Sequence, residues 1–366
     1  MSRTGILIVT HNSAAHIGAC LDAVHRVRGP QDIVLVIDNA SADAVASTVQ
    51  APARFIQNKT NVGFAGAVNQ GFRALKDDVD TVLLLNPDVI LKVFQSDHPL
   101  SSDLPGSPAG ATPLEELSAA CRQSGLACGR LTDAFGKTQI GFSFRRFPTP
   151  LTLLFETFGL NRIWKSNPVN RAYRCLDVDH QSPALVEQPA GAMLMIRTDV
   201  WALLKGFDEE FYPVWFEDVD FCLRASLAGY RAAYVPNFQG VHEGGHSVLQ
   251  IPILNRKLYW YASLLRYSRK HFGRVGRGVV AAGVAAAGVS RALIALLRLR
   301  GRSLKEAAMN LTIARTALVY PPSRPAVRGL GEKERDAVTD LGSRVSNEGI
   351  SSDENTERTL KRLHAR

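Results

Sequence analysis

The sequence predicts an α/β fold, a mostly parallel sheet covered by helices, and two observations carry this prediction. Continuous apolar runs recur at residues 5–10, 33–37 and 82–85, and segments with helical periodicity separate them. An unbroken apolar run is typical of a parallel strand that is buried on both faces. The alternation of such strands with helices therefore indicates an open α/β sheet.

The first half of the chain consists of regular strand–helix units. The strand at 5–10 is followed by Ser13, which can cap a helix with apolar residues on one face at 17, 21 and 24. The second strand ends at Asp38, and Ser41 opens a short helix. The remaining elements of this half are a strand at 54–56, a helix at 65–75 and a strand at 82–85.

The second half is less regular. Residues 92–113 are rich in Ser, Pro, Asp and Gly and predict a surface insertion, and 141–183 are aromatic and Arg-rich without a readable motif. Helices are predicted at 114–128, after Thr198, and at 217–228, 252–271 and 278–299, and strands at 193–196 and 230–235. The sequence therefore predicts three domains: an α/β domain at 1–250, a basic amphipathic helical region at 251–320, and a polar, disordered tail at 321–366.

Charge and cysteine usage indicate the surroundings of the protein. The net charge is +9, but residues 244–305 contain twelve Lys and Arg and no Asp or Glu, which leaves −3 for the rest of the chain. This local basicity points to a surface partner of that segment. The five cysteines are scattered without metal-like spacing, and the apolar start of the chain is too short for a signal peptide, so we expect a reducing compartment.

Polar residues follow each of the first four predicted strands. They are Thr10-His11-Asn12, Asp38-Asn39, Asn58 to Asn61, and Asn86-Pro87-Asp88. Ligands of open parallel sheets bind at the carboxyl ends of the strands, so these residues predict a binding site. The turn after the first strand contains no glycine, which argues against a dinucleotide dehydrogenase. For the second group the simpler alternative is an N-cap formed by Ser41.

Two of these groups have specific chemical uses. Small residues after Asn61, beginning with Gly63, let the backbone approach a ligand closely, although tight helix-on-sheet packing is the alternative. Pro87 restricts the turn so that Asp88 projects from the sheet edge, although Asx-Pro turns are common. A single acid holds Mg²⁺ or Mn²⁺ well only when substrate phosphates complete the coordination shell.

A second acidic cluster lies far along the chain. Trp215-Phe216 precedes Glu217, Asp218 and Asp220, at the start of a predicted helix. Acidic side chains in the first turn of a helix interact favourably with the helix dipole, but this explains only one or two of the three acids here. Helical geometry puts Glu217 and Asp220 on one face and Asp218 on another, so one acid can act as a base while the others hold loops.

A histidine in a glycine-containing segment follows this helix and one strand. His242 lies in Val241-His-Glu-Gly-Gly-His-Ser247, and it can serve as a metal ligand together with the acid at the strand exit. A lone histidine is more often structural, and His246 is the competing candidate ligand.

Together these motifs resemble glycosyltransferase family 2, with the GT-A fold, in its rhamnosyltransferase-like branch. The matching segments are Ile8–Ser13, Val36–Ser41, Asn61–Ala65, Leu84–Asp88, Gly191–Arg197, Gly206–Glu209, Phe216–Asp220 and His242. They run in family order across residues 5–247. The combination is specific, although each motif alone is weak.

The resemblance implies an inverting transfer of a rhamnose-like or other hexose from a nucleoside-diphosphate sugar to a hydroxyl group. Each matching residue would then have a role. The nucleotide sugar would be bound by Thr10, Asn12, Asp38, Asn61, Gly63, Asn86 and Asp88. A Mg²⁺ or Mn²⁺ ion would be held by Asp88 and His242. The base would be Asp218, and the acceptor would be faced by Gly191, Trp215 and Glu217. The first acid of the family's DxD-like motif is Asn86 here, which lowers the expected metal affinity in the absence of donor.

The expected acceptor is a glycan or a polyprenyl-linked molecule of cell-envelope polysaccharide synthesis. Aromatic residues interleave with Arg near 259–267, which would also suit nucleic acid, but the Ala/Val/Leu-rich stretch that follows suits an anionic membrane surface better. We expect a cytoplasmic protein, peripheral at the inner face of the membrane, with 278–299 lying in the membrane plane. The alternatives are a helix packed on the body, and a catalytically silent protein that binds nucleotide sugar or anionic lipid.

Overall fold

A nine-stranded sheet with helices on both faces lies at the centre of the computed structural model, which describes residues 3–92, 111–244, 251–297 and 301–319. The strands are β1 Thr4–Thr10, β2 Ile33–Asp38, β3 Arg54–Gln57, β4 Thr81–Leu85, β5 Val89–Leu91, β6 Gly125–Thr132, β7 Phe144–Arg145, β8 Ala184–Val186, β9 Gln188–Pro189, β10 Met193–Arg197 and β11 Arg231–His242. The helices are α1 Ala14–Val27, α2 Val45–Thr48, α3 Gly63–Leu75, α4 Pro113–Ser124, α5 Pro150–Phe158, α6 Leu160–Ile163, α7 Pro168–Tyr173, α8 Thr198–Leu203, α9 Glu217–Leu227, α10 Ile253–His271, α11 Arg274–Leu297 and α12 Gly301–Val319.

The sheet joins a parallel half to a mixed half. Its strand order is β3-β2-β1-β4-β10-β6-β11-β5, with β8 pairing on β11. The four N-terminal strands are parallel, as their continuous apolar runs predict. Strand β10 then runs antiparallel to both β4 and β6, while β6 and β11 are parallel to each other. The predicted α/β class is confirmed, and the parallel strands are concentrated in the N-terminal half of the chain.

Apolar clusters on the two faces of the sheet bury its strands. On one face, Phe72 of α3 stacks on Trp201 of α8 with ring centroids 3.6 Å apart, and Phe221 of α9 packs beside them. On the other face, α1 and α4 contribute Ile17 and Leu117. Each central strand therefore has apolar contacts on both sides, which explains why these strands show no alternation of polar and apolar residues.

Strand β6 corrects the prediction of a helix over 114–128. The helix α4 ends at Ser124, where Gly125 has φ 91°, and the chain continues as a strand. Thr112 and Glu115 form a capping box at the start of α4, so the beginning of this helix is defined by local hydrogen bonds. The end of α4 was not predictable from periodicity, because the small and apolar residues after Gly125 suit a helix or a buried strand equally well.

Strand β11 is longer than the predicted strand at 230–235. It continues to His242, with an irregularity between Val235 and Gln239, and its last three residues pair with β5. His242 is therefore the final residue of a strand, rather than part of a free glycine-containing loop. The pairing of His242 with Val89 brings this histidine beside Asp88, which precedes β5.

Three helices follow the sheet and pack together. Helix α11 lies against α10, α12 and α5, and glycines allow the closest approaches. A Cβ atom at Gly283 would lie 2.1 Å from Leu154 of α5, and one at Gly288 would lie 2.7 Å from the Asn310 carbonyl oxygen of α12. The helices predicted at 252–271 and 278–299 are thus present with slightly different bounds.

Met1–Tyr320 forms one compact unit, and the predicted disordered tail at 321–366 lies outside the described residues. Most of the predicted insertion, 93–110, also lies outside them, as does His246.

Candidate active site

The carboxyl ends of the parallel strands form one edge of the sheet, as the sequence predicts. Thr10 pairs in register with Asp38, and Asp38 with Gln57. Strand β4 ends beside β1, so Asn86 emerges at the same edge. Because β10 runs antiparallel to β4, its beginning lies there too, and the Asn86 N–H donates to the Ala192 carbonyl at 2.9 Å. Gly191 is therefore next to the end of β4.

Asp38 is fully buried and braces the loop that follows it. One of its carboxylate oxygens accepts hydrogen bonds from the backbone N–H and the hydroxyl of Ser41, and the other accepts from Gln57 Nε2 at 3.1 Å. Asn12 is part of the same turn: Ser41 Oγ accepts from its N–H, and Asn12 Oδ1 accepts from the Ala42 N–H. Thr10 is buried, and its hydroxyl makes no hydrogen bond within the described residues.

The Asn61–Gly63 turn is held by Asn39, which lies directly after Asp38. Asn39 Nδ2 donates to Asn61 Oδ1 at 2.9 Å and to the Gly63 carbonyl, while its Oδ1 accepts from the Val62 N–H at 3.0 Å. Gly63 has φ 78°, and a Cβ there would lie 2.7 Å from the Tyr212 ring. The glycine is required both by the backbone conformation and by this close approach.

Asp88 and His242 face each other at the end of β4. Both are buried, and Asp88 Oδ1 lies 3.7 Å from His242 Nε2, beyond hydrogen-bond distance. That nitrogen has no hydrogen-bond partner within the described residues. Burial lowers the pKa of His242, against the opposing effect of the Asp88 charge, so the imidazole is neutral at neutral pH and can coordinate a metal ion.

The geometry of this pair fits a divalent cation. Nitrogen and oxygen ligands lie about 2.0–2.2 Å from such an ion, so two ligands of one ion are at most about 4.4 Å apart, and 3.7 Å is within that limit. Within the described ranges, no group of three or more His, Cys, Asp or Glu side chains could hold a metal ion by itself. The protein therefore offers two ligands at this point, and other ligands would have to come from a substrate and water.

Asp218 lies in the first turn of α9, half-buried and adjacent to Gly191. Its Oδ2 accepts a hydrogen bond from the Gly191 N–H at 2.9 Å, and its Oδ1 accepts from the Val219 N–H at 2.8 Å. Burial raises the pKa of Asp218, although both N–H groups and the charge of Arg145 oppose the shift. Since Gly191 is next to Ala192, which binds Asn86, a short backbone path connects Asp218 to the Asp88 end of the site.

The turn that precedes Asp218 is conformationally strained. Trp215 has φ 82° and Phe216 has φ 70°, two consecutive non-glycine residues in the left-handed region. Such conformations cluster at functional sites, where surrounding packing holds them in place. Phe216 is buried among apolar side chains of α10, and Trp215 is half-buried beside the same cluster.

Glu217 is directed into the interior. It is buried, and its Oε2 has no hydrogen-bond partner among the described atoms. Burial and the neighbouring Asp218 raise the pKa of Glu217 well above its usual range. The neutral form of this carboxyl group is therefore favoured over the charged form, whereas Asp218 is only half-buried.

Asp220, the third acid, connects α9 to α10. Its carboxylate contacts Arg224, Lys270 and His271 at 2.7–2.8 Å. Burial alone would raise the pKa of Asp220, but the hydrogen bond from His271 and the charges of Arg224 and Lys270 lower it below its usual value. Lys270 of the basic segment thus forms an internal ion pair and His271 an internal hydrogen bond, neither of which the local sequence indicated.

Two further residues near the site were missed by sequence reasoning. Arg145 of β7 interacts electrostatically with Asp218, donates to the Gly141 carbonyl at 2.6 Å and lies over the Tyr173 ring. Gln139 contacts His242 through both ends of its amide. Arg145 belongs to the segment 141–183, in which no motif was readable, and Gln139 lies just before it; contacts distant in sequence bring both residues to the site.

Comparisons with known proteins identify the chain as a glycosyltransferase. Residues 5–92 match the sequence model described as Glycosyl transferase family 2, and this segment contains β1 to β5, including Asp38 and Asp88. The chain is a glycosyltransferase, and its resemblance to family 2 and to the rhamnosyltransferase-like branch is confirmed. One similar protein is Rhamnosyltransferase WbbL of Escherichia coli (strain K12), 26% identical over 286 residues, which cover 74% of this chain and 97% of that protein.

Solved glycosyltransferase structures are similar over most of the chain. The mannosyltransferase PcManGT from Pyrobaculum calidifontis, in complex with GDP-Man and Mn²⁺, has a TM-score of 0.47 and 16% identity, covering 87% of this chain and 88% of its own. GalNAc-T7 with UDP, GalNAc and Mn²⁺ has a TM-score of 0.49 and 12% identity, covering 89% of this chain and 59% of its own.

Proposed function

We propose that this glycosyltransferase transfers a rhamnose-like or other hexose, with inversion, from a nucleoside-diphosphate sugar to a hydroxyl of a glycan or polyprenyl-linked acceptor in cell-envelope polysaccharide synthesis. The observation that carries the proposal is the half-buried Asp218 carboxylate, held by the Gly191 N–H at the same sheet edge as Asp88. The name of the relative WbbL supports rhamnose as the sugar, and the similar structures hold GDP-Man or UDP.

The chemistry that this arrangement allows is a single displacement. Asp218, whose pKa is raised, takes the proton of the acceptor hydroxyl as the hydroxyl oxygen attacks the anomeric carbon. The bond from that carbon to the diphosphate oxygen breaks, and the diphosphate leaves from the opposite face of the sugar. The Gly191 N–H orients Asp218. Asp88 and His242 would hold a divalent cation, Mg²⁺ or Mn²⁺, which when bound would neutralise charge on the diphosphate.

A donor panel tests the proposed reaction. Purified protein with Mn²⁺ and a lipid-linked glycan extract is incubated with dTDP-rhamnose, UDP-GlcNAc, UDP-galactose or GDP-mannose. We expect one donor to yield nucleoside diphosphate and a product of inverted anomeric configuration, measured by NMR. A donor that binds in calorimetry but is never turned over would favour the alternative, a silent nucleotide-sugar-binding protein.

We further propose that the protein lies at the inner face of the cell membrane, in contact with anionic lipid. One outward row of α11 is entirely apolar. It consists of Val275, Val279, Ala282, Ala286, Val289, Leu293 and Leu297, all exposed at helical spacing. The buried residues of α11 are Val280, Val284, Ala285, Ala287, Gly288, Ala292 and Ala295, none larger than valine. An apolar row that is exposed along the length of a helix suits a lipid environment better than water.

The charges near this outward row support anionic lipid as the partner. On the described parts of α11 and α12, the charged residues classed as exposed are Arg274, Arg277 and Arg315, all cationic. Each basic residue near an anionic surface contributes about 1 kcal/mol. Other basic residues form ion pairs within the protein: Arg266 pairs with Glu210, and Lys257 pairs with Glu306.

Helix α11, with 24 residues, is long and apolar enough to cross a membrane by length and composition. Its contacts favour an orientation in the membrane plane. Arg291 donates to the Tyr261 hydroxyl and the Thr157 carbonyl, which ties the C-terminal third of α11 to α10 and α5. A spanning α11 would have to break these contacts or take polar neighbours into the bilayer.

Polar substitutions in the outward row are expected to weaken vesicle binding. Burying a leucine side chain contributes about 1.5–3 kcal/mol, so replacing Leu293 and Leu297 together by Asn should lower binding to anionic liposomes at least about tenfold in flotation. The matched control replaces Leu203 and Leu227, which are 60% and 78% exposed, compared with 57% and 80% for the tested pair. Equal loss in both double variants, or protein that only detergent releases, contradicts the peripheral arrangement.

A further inference from the structure

Both polar atoms of the Gln139 side-chain amide contact His242. Gln139 Nε2 donates to the His242 carbonyl oxygen at 2.7 Å, and Gln139 Oε1 lies 3.1 Å from His242 Nδ1. Gln139 is itself fixed by its backbone: its N–H donates to the Leu131 carbonyl, and its carbonyl accepts from the N–H groups of Phe142 and Ser143. The amide therefore reaches His242 from a rigid turn.

These two contacts determine where the imidazole carries its proton. A backbone carbonyl oxygen can only accept, so the NH₂ group of Gln139 must face the His242 carbonyl, and Oε1 must face Nδ1. The reversed amide would place two acceptor oxygens 2.7 Å apart. Since Oε1 also only accepts, Nδ1 must carry a hydrogen. In the neutral imidazole, Nε2 then carries the lone pair.

The ring is also fixed in its plane. Phe142 stacks on His242 with centroids 4.8 Å apart and an interplanar angle of 16°. Nε2 is buried, makes no hydrogen bond within the described residues, and has Asp88 Oδ1 at 3.7 Å. A lone pair and a carboxylate oxygen that face each other at this distance without a hydrogen bond are arranged to share a cation.

We propose that Gln139 is a positioning residue: it holds His242 in the Nδ1–H tautomer, so that Nε2 is directed at Asp88 and prepared for a divalent cation. The inference rests on the proposed function for the identity of the ligand, but not for the tautomer. Partners that donate to or accept from the distal ring nitrogen fix the orientation of metal-binding histidines, and their loss typically lowers metal affinity about 10–100-fold.

The first test needs no substitution of Gln139. Long-range ¹H–¹⁵N NMR of full-length, metal-free protein labelled on histidine distinguishes the two neutral tautomers. The chain contains nine histidines, and the signals missing from His242→Gln identify the relevant ring. We expect Nδ1–H for His242 in the wild type and a mixture with Nε2–H in Gln139→Leu. An Nε2–H tautomer in the wild type would overturn the proposal.

The second test measures Mn²⁺ alone, followed by the EPR signal of the free ion. Gln139→Leu should raise the Kd for Mn²⁺ by about 10–100-fold, and Gln139→Glu, which keeps an acceptor for Nδ1–H, by less than about tenfold. The matched control is Gln50→Leu at an exposed position, which should keep the wild-type Kd. A wild-type Kd in Gln139→Leu would refute the positioning role.

Failure of the proposed function gives a different result. If the wild type binds no Mn²⁺ either alone or with a nucleoside diphosphate present, the proposed metal site is wrong, while the NMR measurement still confirms or overturns the tautomer set by Gln139. Circular dichroism melting of each variant identifies a loss of folding, which would lower the signal of every ligand rather than change the tautomer of one ring.

Discussion

Replacing Asp218 by Asn is expected to lower turnover by about 10²–10⁴-fold and to leave donor binding nearly intact, because removing a general base typically has an effect of that size. The amide keeps the shape of the side chain and can still accept the hydrogen bond from the Gly191 N–H. It cannot take a proton from the acceptor. Steady-state kinetics with the best donor, together with calorimetric donor binding, measures the two quantities separately.

Glu217→Gln is the matched control for this prediction. Burial and the neighbouring Asp218 raise the pKa of Glu217 well above its usual range and so favour its neutral form, which Gln resembles. We expect turnover within about tenfold of wild type, far above that of Asp218→Asn. A variant Asp218→Asn with wild-type turnover would transfer the role of base to Glu217 or Asp220.

The pH profile gives a second readout of Asp218. A base must be deprotonated to act, so kcat/KM should fall as the pH decreases through the pKa of Asp218, which burial raises above its ordinary value. The residual activity of Asp218→Asn should lack this acid limb.

Removal of the Asp88 carboxylate is expected to abolish metal-dependent donor binding. In the wild type, EDTA should weaken calorimetric affinity for the nucleotide sugar about tenfold or more, since the diphosphate loses its cation. Asp88→Ala should bind as weakly with Mn²⁺ as the wild type does without it. The reason is that Asp88 and His242 are the two facing ligands at this edge, and one alone holds the ion poorly.

Asp77→Ala is the control for Asp88→Ala. Asp77 is an exposed acid in the connection before β4, at the opposite end of that strand, and its loss should leave the metal dependence unchanged. Equal donor affinity of the wild type with and without metal would show that the Asp88–His242 metal site is wrong.

Much of the candidate site at the strand ends was predictable because its residues lie next to strands that are themselves readable. An apolar run followed by Asp38 or Asp88 places each acid at the carboxyl end of a strand, and parallel pairing then brings these ends together. The acids of α9 were readable as well, since helical geometry separates Asp218 from Glu217 and Asp220. Only their partners, Gly191 for Asp218 and His271 for Asp220, could not be read from local spacing.

The sequence by itself determined the class of the protein, the strand–helix units of its first half and the type of each candidate group, because these depend on local apolar pattern and on motifs in a fixed order. The tertiary structure decided which groups meet. Pairing between β5 and β11 brings His242 to Asp88 across more than 150 positions of sequence, and the turn before β7 brings Gln139 to His242. It also decided that α11 has its small residues inside and its apolar row outside, since helix packing depends on which face fits closely against α5 and α12. Such contacts depend on sterics and hydrogen bonding between distant segments, which a local pattern does not encode.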